Sequence, residues 1–174
     1  MKEEFVTLHW RQNRASLAQL LLCLTLVGSS LGSDAWVVRE DGVGPVKIGM
    51  TLAKLSATLH QKLSEDKFGT DNCFYAHARG HDNVSFMIID AVCCDVNVEA
   101  PGIETSTGIQ VGDSEAQVRR VYGSKIKMTA LQYVDTGHYL TVVFPDGRYG
   151  VRFVTDKGKF TVFYAGKYDA IQLR

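Results

Sequence analysis

Residues 109–122 read IQVGDSEAQVRRVY, and the meaning of this stretch decides the fold. Ser114 and Gln117 form an S-x-x-Q capping box, in which the serine hydroxyl and the glutamine amide each satisfy a backbone amide at a helix start. The spacing predicts a helix that runs to Tyr122 and is stopped by Gly123. Sliding the chain so that Val46 lies on Ile109 also lays Ile48 on Val111, Gly49 on Gly112, Thr51 on Ser114, Ala53 on Ala116 and Leu55 on Val118. The helix entry is therefore repeated. In the earlier copy Leu52, Leu55, Leu59 and Leu63 make one helical stripe, Thr51 stands where an N-cap would, and Gly49 permits the tight entry.

After each helix the period changes to two. CFYAHAR (73–79), VSFMII (84–89) and VCCDVNV (92–98) alternate as strands, with RGHDN as turn residues. MTALQYV (128–134), HYLTVVF (138–144), RYGVRFV (148–154) and KFTVFYA (159–165) resume the pattern, separated by DTG, PDG and DKG turns that supply positive-φ residues. AIQL (170–173) reads as a last extended piece closing the sheet. The expected architecture is α+β: two tandem helix-plus-antiparallel-sheet repeats, residues 34–101 and 102–174, forming one compact domain. Each copy is small enough that it should bury its apolar faces partly against the other.

Residues 1–33 have the order of a secretory signal peptide. Lys2, Arg11 and Arg14 precede the apolar core LLLCLTLV (20–27), and the small residues GSSLGSDA follow. The core is shorter than the roughly 20 apolar residues of a membrane span, so cleavage without a stable membrane anchor is expected, and with it a periplasmic or secreted location. The leader holds three of the 19 basic residues and, at Glu3 and Glu4, two of the 19 acidic ones, which leaves the remainder near neutral. No basic surplus is left for a nucleic-acid partner. Of the cysteines beyond the leader, Cys73 and Cys93 fall on the polar side of their strands and Cys94 on the apolar side. A Cys73–Cys93 disulfide is expected, with Cys94 as a buried hydrophobe and Cys73–Cys94 as the competing pair.

Gly49-Met50-Thr51, with Gly112-Asp113-Ser114 as a second, degenerate version, resembles the helix entry of the repeat unit of the BamE and beta-lactamase-inhibitory-protein type. That resemblance implies a helix packed on one side of an antiparallel sheet and, as in the inhibitory protein, two tandem copies. The layout is also similar to that of uncharacterised exported proteobacterial proteins. The chain departs from BamE in lacking a lipobox, because Leu22 rather than a small residue precedes Cys23. Its cysteine pattern departs from the inhibitory protein, so no inhibitory contact carries over.

Chemistry-bearing motifs are sparse. HARGHD places His77, His81 and Asp82 within six residues, but across a strand and turn the two imidazoles should point apart. No G-x-S-x-G elbow, phosphate-binding glycine loop or C-x-x-C motif occurs, and no metal site or cofactor is implied. The alternation itself is more informative. With helices over Phe74, Phe86, Leu140, Val142 and Phe153, the opposite face presents Tyr75, His77, Met87, Tyr139, Thr141, Arg152, Thr161 and Phe163. This mixture of aromatics, arginine and small polar groups suits an interface. The expectation is a non-enzymatic, exported protein-binding module with a partner in the cell envelope. The alternative is a metal-dependent or hydrolytic envelope enzyme centred on His77, His81 and Asp82.

Overall fold

The computed structural model describes residues 36–67 and 72–174. The signal-peptide reading of residues 1–33 lies outside them. The protein is mostly β, 46% strand against 17% helix, which corrects the expectation of two helix-plus-sheet repeats. Among the described residues, strands β1 (Val37–Arg39), β2 (Gly42–Val43), β3 (Val46–Lys47) and β8 (Glu104–Thr105) make a small sheet in the order β3-β2-β1-β8. The remaining strands are β4 (Ser64–Lys67), β5 (Cys73–His77), β6 (Val84–Ile89), β7 (Val92–Val98), β9 (Ile126–Ala130), β10 (His138–Val143), β11 (Tyr149–Asp156) and β12 (Lys159–Lys167). They form one continuous sheet in the order β4-β5-β6-β7-β12-β11-β10-β9. Two meanders thus meet where β7 and β12 pair antiparallel, Val98 opposite Phe163 and Val96 opposite Ala165.

The helices α1 (Leu52–Thr58) and α2 (Glu115–Tyr122) begin where the capping residues place them. The Thr51 and Ser114 hydroxyls accept hydrogen bonds from the backbone N–H groups of Lys54 and Gln117, each at 3.2 Å. Gly49 and Gly112 enter at φ +93° and +96°, in the left-handed region that favours glycine. Each helix start is also pinned to a hairpin. Leu52 N–H donates to Ala91 O and Glu115 N–H to Gly158 O, both at 2.9 Å. These are first-turn amides with no partner inside their own helix. Their acceptors lie in two-residue turns, Asp90-Ala91 and Lys157-Gly158, in which both residues of each pair have positive φ, as a type I′ hairpin requires.

One face of the large sheet carries Phe74, Phe86, Ile88, Val96, Leu140, Phe153 and Phe163, all buried. Leu55 of α1, Val118 of α2 and the small-sheet residues Val38, Val43 and Val46 complete this core. The expected closing strand at 170–173 is instead part of a short helix, α3 (Tyr168–Gln172), which seats Ile171 in a buried position. Facing glycines on β11 and β12, Gly150 opposite Gly166, admit it to the opposite face of the sheet. A Cβ on Gly150 would lie 3.1 Å from Ile171 Cδ1. No described helix is long and apolar enough to cross a membrane.

A Cβ on Gly166 would stand 2.4 Å from Cys94 O and 2.6 Å from Asp95 Cα, both on the neighbouring strand β7. Gly166→Ala is expected to lower the unfolding free energy by about 1–3 kcal/mol, because backbone must move to make room. Urea denaturation of the variant measures the loss.

Candidate functional site

The strand registers fix which side chains share the outer face. Tyr75 is opposite Met87, Met87 opposite Asp95, Asn97 opposite Tyr164, Tyr164 opposite Arg152, Arg152 opposite Thr141, and Thr141 opposite Lys127. Six of the expected face residues, Tyr75, His77, Met87, Tyr139, Thr141 and Arg152, therefore lie on this face, with Met87 and Thr141 buried beneath their neighbours. Phe163 does not. A register shift between Val154 and Thr155 pairs Val154 with Val162 but Thr155 with Phe160, which leaves Thr161 as an extra residue. Thr161 remains exposed at this irregularity, and Phe163 lands opposite Phe153, fully buried in the core. A single inserted residue reverses the parity of everything beyond it.

The cysteines are corrected for the same reason. A shift between Met87 and Ile88 makes Cys94 the extra residue of β7 and turns Cys93, opposite Ile88, into the core. Burial pushes the Cys93 thiol far above its ordinary pKa. Cys73 faces the other way, its thiol 3.7 Å from Met87 Sδ. Cys73, Cys93 and Cys94 are all free thiols, so the expected Cys73–Cys93 bond is absent. Cys93, rather than Cys94, plays the small buried hydrophobe.

The centre of the outer face is a polar cluster under α3. Asp95 is fully buried and meets the Arg174 guanidinium at 3.0 Å. Burial raises the Asp95 carboxyl pKa, against the pull of Arg174, and Oδ1 has no hydrogen-bond partner among the described residues. Burial likewise raises the phenols of Tyr75 and Tyr164 beside it. Arg152 lies over the Tyr139 ring at 4.2 Å and donates to Thr141 Oγ1 and to the backbone carbonyls of Ile171, Gln172 and Arg174 at 2.8–3.1 Å. Those carbonyls include the C-terminal end of α3, where helical partners run out. Arg152 is thus first a clamp on α3.

Beyond α3 the face opens. Thr129, Tyr139, Arg152, Gln172 and Arg174 line a groove of about 370 Å³, continuous through Thr129, Arg152 and Gln172 with a smaller one reaching Lys127. No acidic side chain lines either. The groove runs along β9, which ends the sheet and has one free edge among the described residues. The opposite edge strand, β4, reads SEDK and carries three charges in four residues, whereas β9 reads IKMTA and exposes Met128.

Comparison with known proteins yields a shared fold. No family model matches the sequence, and no curated protein matches it. Among solved structures, the uncharacterised protein yfeY from Escherichia coli superposes with a TM-score of 0.52 at 10% identity, covering 75% of this chain and 99% of that one. A DUF4309 family protein, YjgB from Bacillus subtilis, gives a TM-score of 0.46 at 14% identity over 72% of this chain and 84% of its own. A cysteine-rich secretory protein from Staphylococcus aureus gives 0.38 at 9% identity over 77% and 51%. Nothing in these matches links the chain to BamE or to beta-lactamase inhibitory protein.

The HARGHD cluster is split. His81 stacks on Trp36 at 3.5 Å between ring centroids, and Trp36 tilts against Phe86 of the core. Burial lowers the His81 pKa. His77 faces the outer side, Nε2 lying 3.1 Å from Asp66 Oδ2 without hydrogen-bond alignment. His77 and Asp82 share only a cavity of about 20 Å³ with Ser85 and Glu99. Among the described residues no three His, Cys, Asp or Glu side chains are placed to hold a metal ion.

One polar cluster carries no sequence signal. Glu115, in the first turn of α2, accepts hydrogen bonds from Arg119 Nε at 2.9 Å and Thr155 Oγ1 at 3.1 Å, and its Oε2 lies 2.9 Å from His138 Nδ1. Thr155 is 40 residues away in sequence, which is why periodicity gives no hint of the contact. Partial burial works to raise the Glu115 pKa, but the hydrogen bonds outweigh it and the net shift is downward.

Two measurements check these placements. Phe163→Ala is expected to lower stability by about 3–5 kcal/mol in denaturant unfolding, as for a core aromatic, where an outer-face residue would cost far less. A lowered folded-state pKa stabilises the protein above the unfolded carboxylate value and ceases to do so in acid. The stability difference between wild type and Glu115→Gln is therefore expected to be largest near neutral pH and to shrink as pH falls below about 4.3.

Proposed function

We propose that this chain is an exported, non-enzymatic protein-binding module that takes up an extended segment of an envelope partner along the free edge of β9. The carrying observation is the asymmetry of the two sheet edges. Unpaired backbone N–H and C=O groups make any edge strand a template for another strand, and charge on the edge deters it. β4 is charged at Glu65, Asp66 and Lys67, while β9 carries one charge in five residues and is flanked by an open groove. Export is supported by the charged-then-apolar order of residues 1–33. The outer face contributes mainly through its β9–β10 end, since its centre is covered by α3 and occupied by the Asp95–Arg174 pair. The arrangement of His77 beside Asp66 and of His81 stacked on Trp36 lends the enzymatic alternative no support.

Hydrogen exchange of the protein, alone and with a partner captured from envelope extract, locates the contact. Amides of Ile126–Ala130 are expected to exchange at least about tenfold more slowly in the complex, as edge groups gain strand partners. Protection confined to β4, or to the surface around the small sheet, would refute the reading.

A further inference from the structure

Resting on that reading, we infer that the segment docked on β9 is acidic: an extended peptide whose carboxylates alternate with apolar side chains. The region between Glu115 and Asp135 contains no acidic residue, yet Arg119, Arg120, Lys125 and Lys127 all lie in it and all are exposed. Glu115, the nearest acid at its start, is engaged by Arg119 and His138. On the outer side Lys127 lines the groove with Arg152 and Arg174, whose guanidiniums are already engaged by the backbone carbonyls of Ile171, Gln172 and Arg174 and by Asp95. The exposed Lys125 and Lys127 thus stand just before and on this edge strand although the chain as a whole has a formal net charge of +0.

The pleat of β9 assigns the positions. Lys127 and Thr129 share the outer face with Thr141 and Tyr139, and Met128 lies on the other face opposite Leu140. A strand added beside β9 continues the same alternation. Its residues level with Lys127 and Thr129 point toward the polar groove, where a carboxylate meets the Lys127 ammonium. The residue level with Met128 points toward the exposed Met128 side chain, on whose sulfur the Arg119 guanidinium lies. A lysine on an edge repels basic strands as it attracts acidic ones, so the same side chain that guards the edge makes it selective. The acidic strand of a second copy, Glu65-Asp66 of β4, has matching charge but brings Lys67 with it and lacks the apolar alternation.

The probe is a short fluorescent peptide alternating Glu and Val, compared with Lys/Val and Thr/Val versions by anisotropy and by hydrogen exchange at Ile126–Ala130. The Glu/Val peptide is expected to bind, to protect β9 and to weaken with added salt. Lys127→Glu is expected to weaken it by about tenfold, and Lys127→Gln by less, both at unchanged stability because the side chain is exposed. Equal binding and β9 protection by the Lys/Val or Thr/Val peptide would overturn the acidic preference and leave strand addition standing. Protection of β9 by none of the peptides, together with a captured partner that protects another surface, would overturn both. Equal protection of β9 by an oligonucleotide would show a general polyanion site and overturn the inference. Self-association abolished by Glu65→Lys would do so in favour of a second copy.

Discussion

The antiparallel pairing of β7 with β12 is the constraint on which the molecule rests. It joins two four-stranded meanders into a single sheet, so that Phe86, Val96, Phe163 and Phe153 form one apolar surface. The approach is close enough that Gly166 cannot carry a side chain without meeting Cys94 and Asp95. On either side of this seam a helix start is tied to a type I′ hairpin, through Leu52 to Ala91 and through Glu115 to Gly158. Those bonds satisfy first-turn amides and fix each helix over the same face of the sheet. The helices are seven and eight residues long, below the length at which isolated helices persist in water. Their stability comes from this attachment and from burying Leu55 and Val118.

The other face of the same seam is polar, and much of it is used internally. Asp95, Asn97 and Tyr164 meet across β7 and β12, and Arg174 reaches Asp95. Arg152, a residue whose type and position suit an interface, holds α3 through two of its carbonyls and the chain beyond it through that of Arg174, while stacking on Tyr139. A planar guanidinium is well matched to both tasks. The covering of the centre by α3 leaves the outer face open at the β9–β10 end, where among the described residues the sheet stops without a neighbour. The function proposed for the chain thus follows from where the sheet terminates, more than from the composition of its face.

The near-neutral charge of the whole chain conceals the local distribution that matters. Between Glu115 and Asp135 the cations stand without acids among them, and folding places Arg119 and Arg120 on α2, Lys125 just before β9 and Lys127 on the edge strand beside the groove. A basic run of this kind on a solvated helix would be unremarkable surface. On the edge strand Lys127 gives the exposed backbone groups the charge preference proposed above.

The local elements were legible in the residues themselves. Thr51 and Ser114 mark helix starts, Gly123 ends α2, and the DKG turn closes a hairpin, because capping and positive-φ requirements act over a few neighbouring residues. Alternation also placed Tyr75, His77, Tyr139 and Arg152 on one face, since period two holds wherever a strand is regular. What needed the tertiary structure were the events that depend on a partner strand or a distant packing surface. The irregularities beside Met87 and Val154 turned Cys93 and Phe163 inward, and with them went the expected disulfide and one residue of the expected outer face. The union of the meanders, the helical seat of Ile171 and the Glu115–His138–Thr155 contact join residues far apart in the chain. Local sequence determined each element and its faces; only the pairing of strands decided the register, because a one-residue slip costs nothing locally and is selected by the core it must fill.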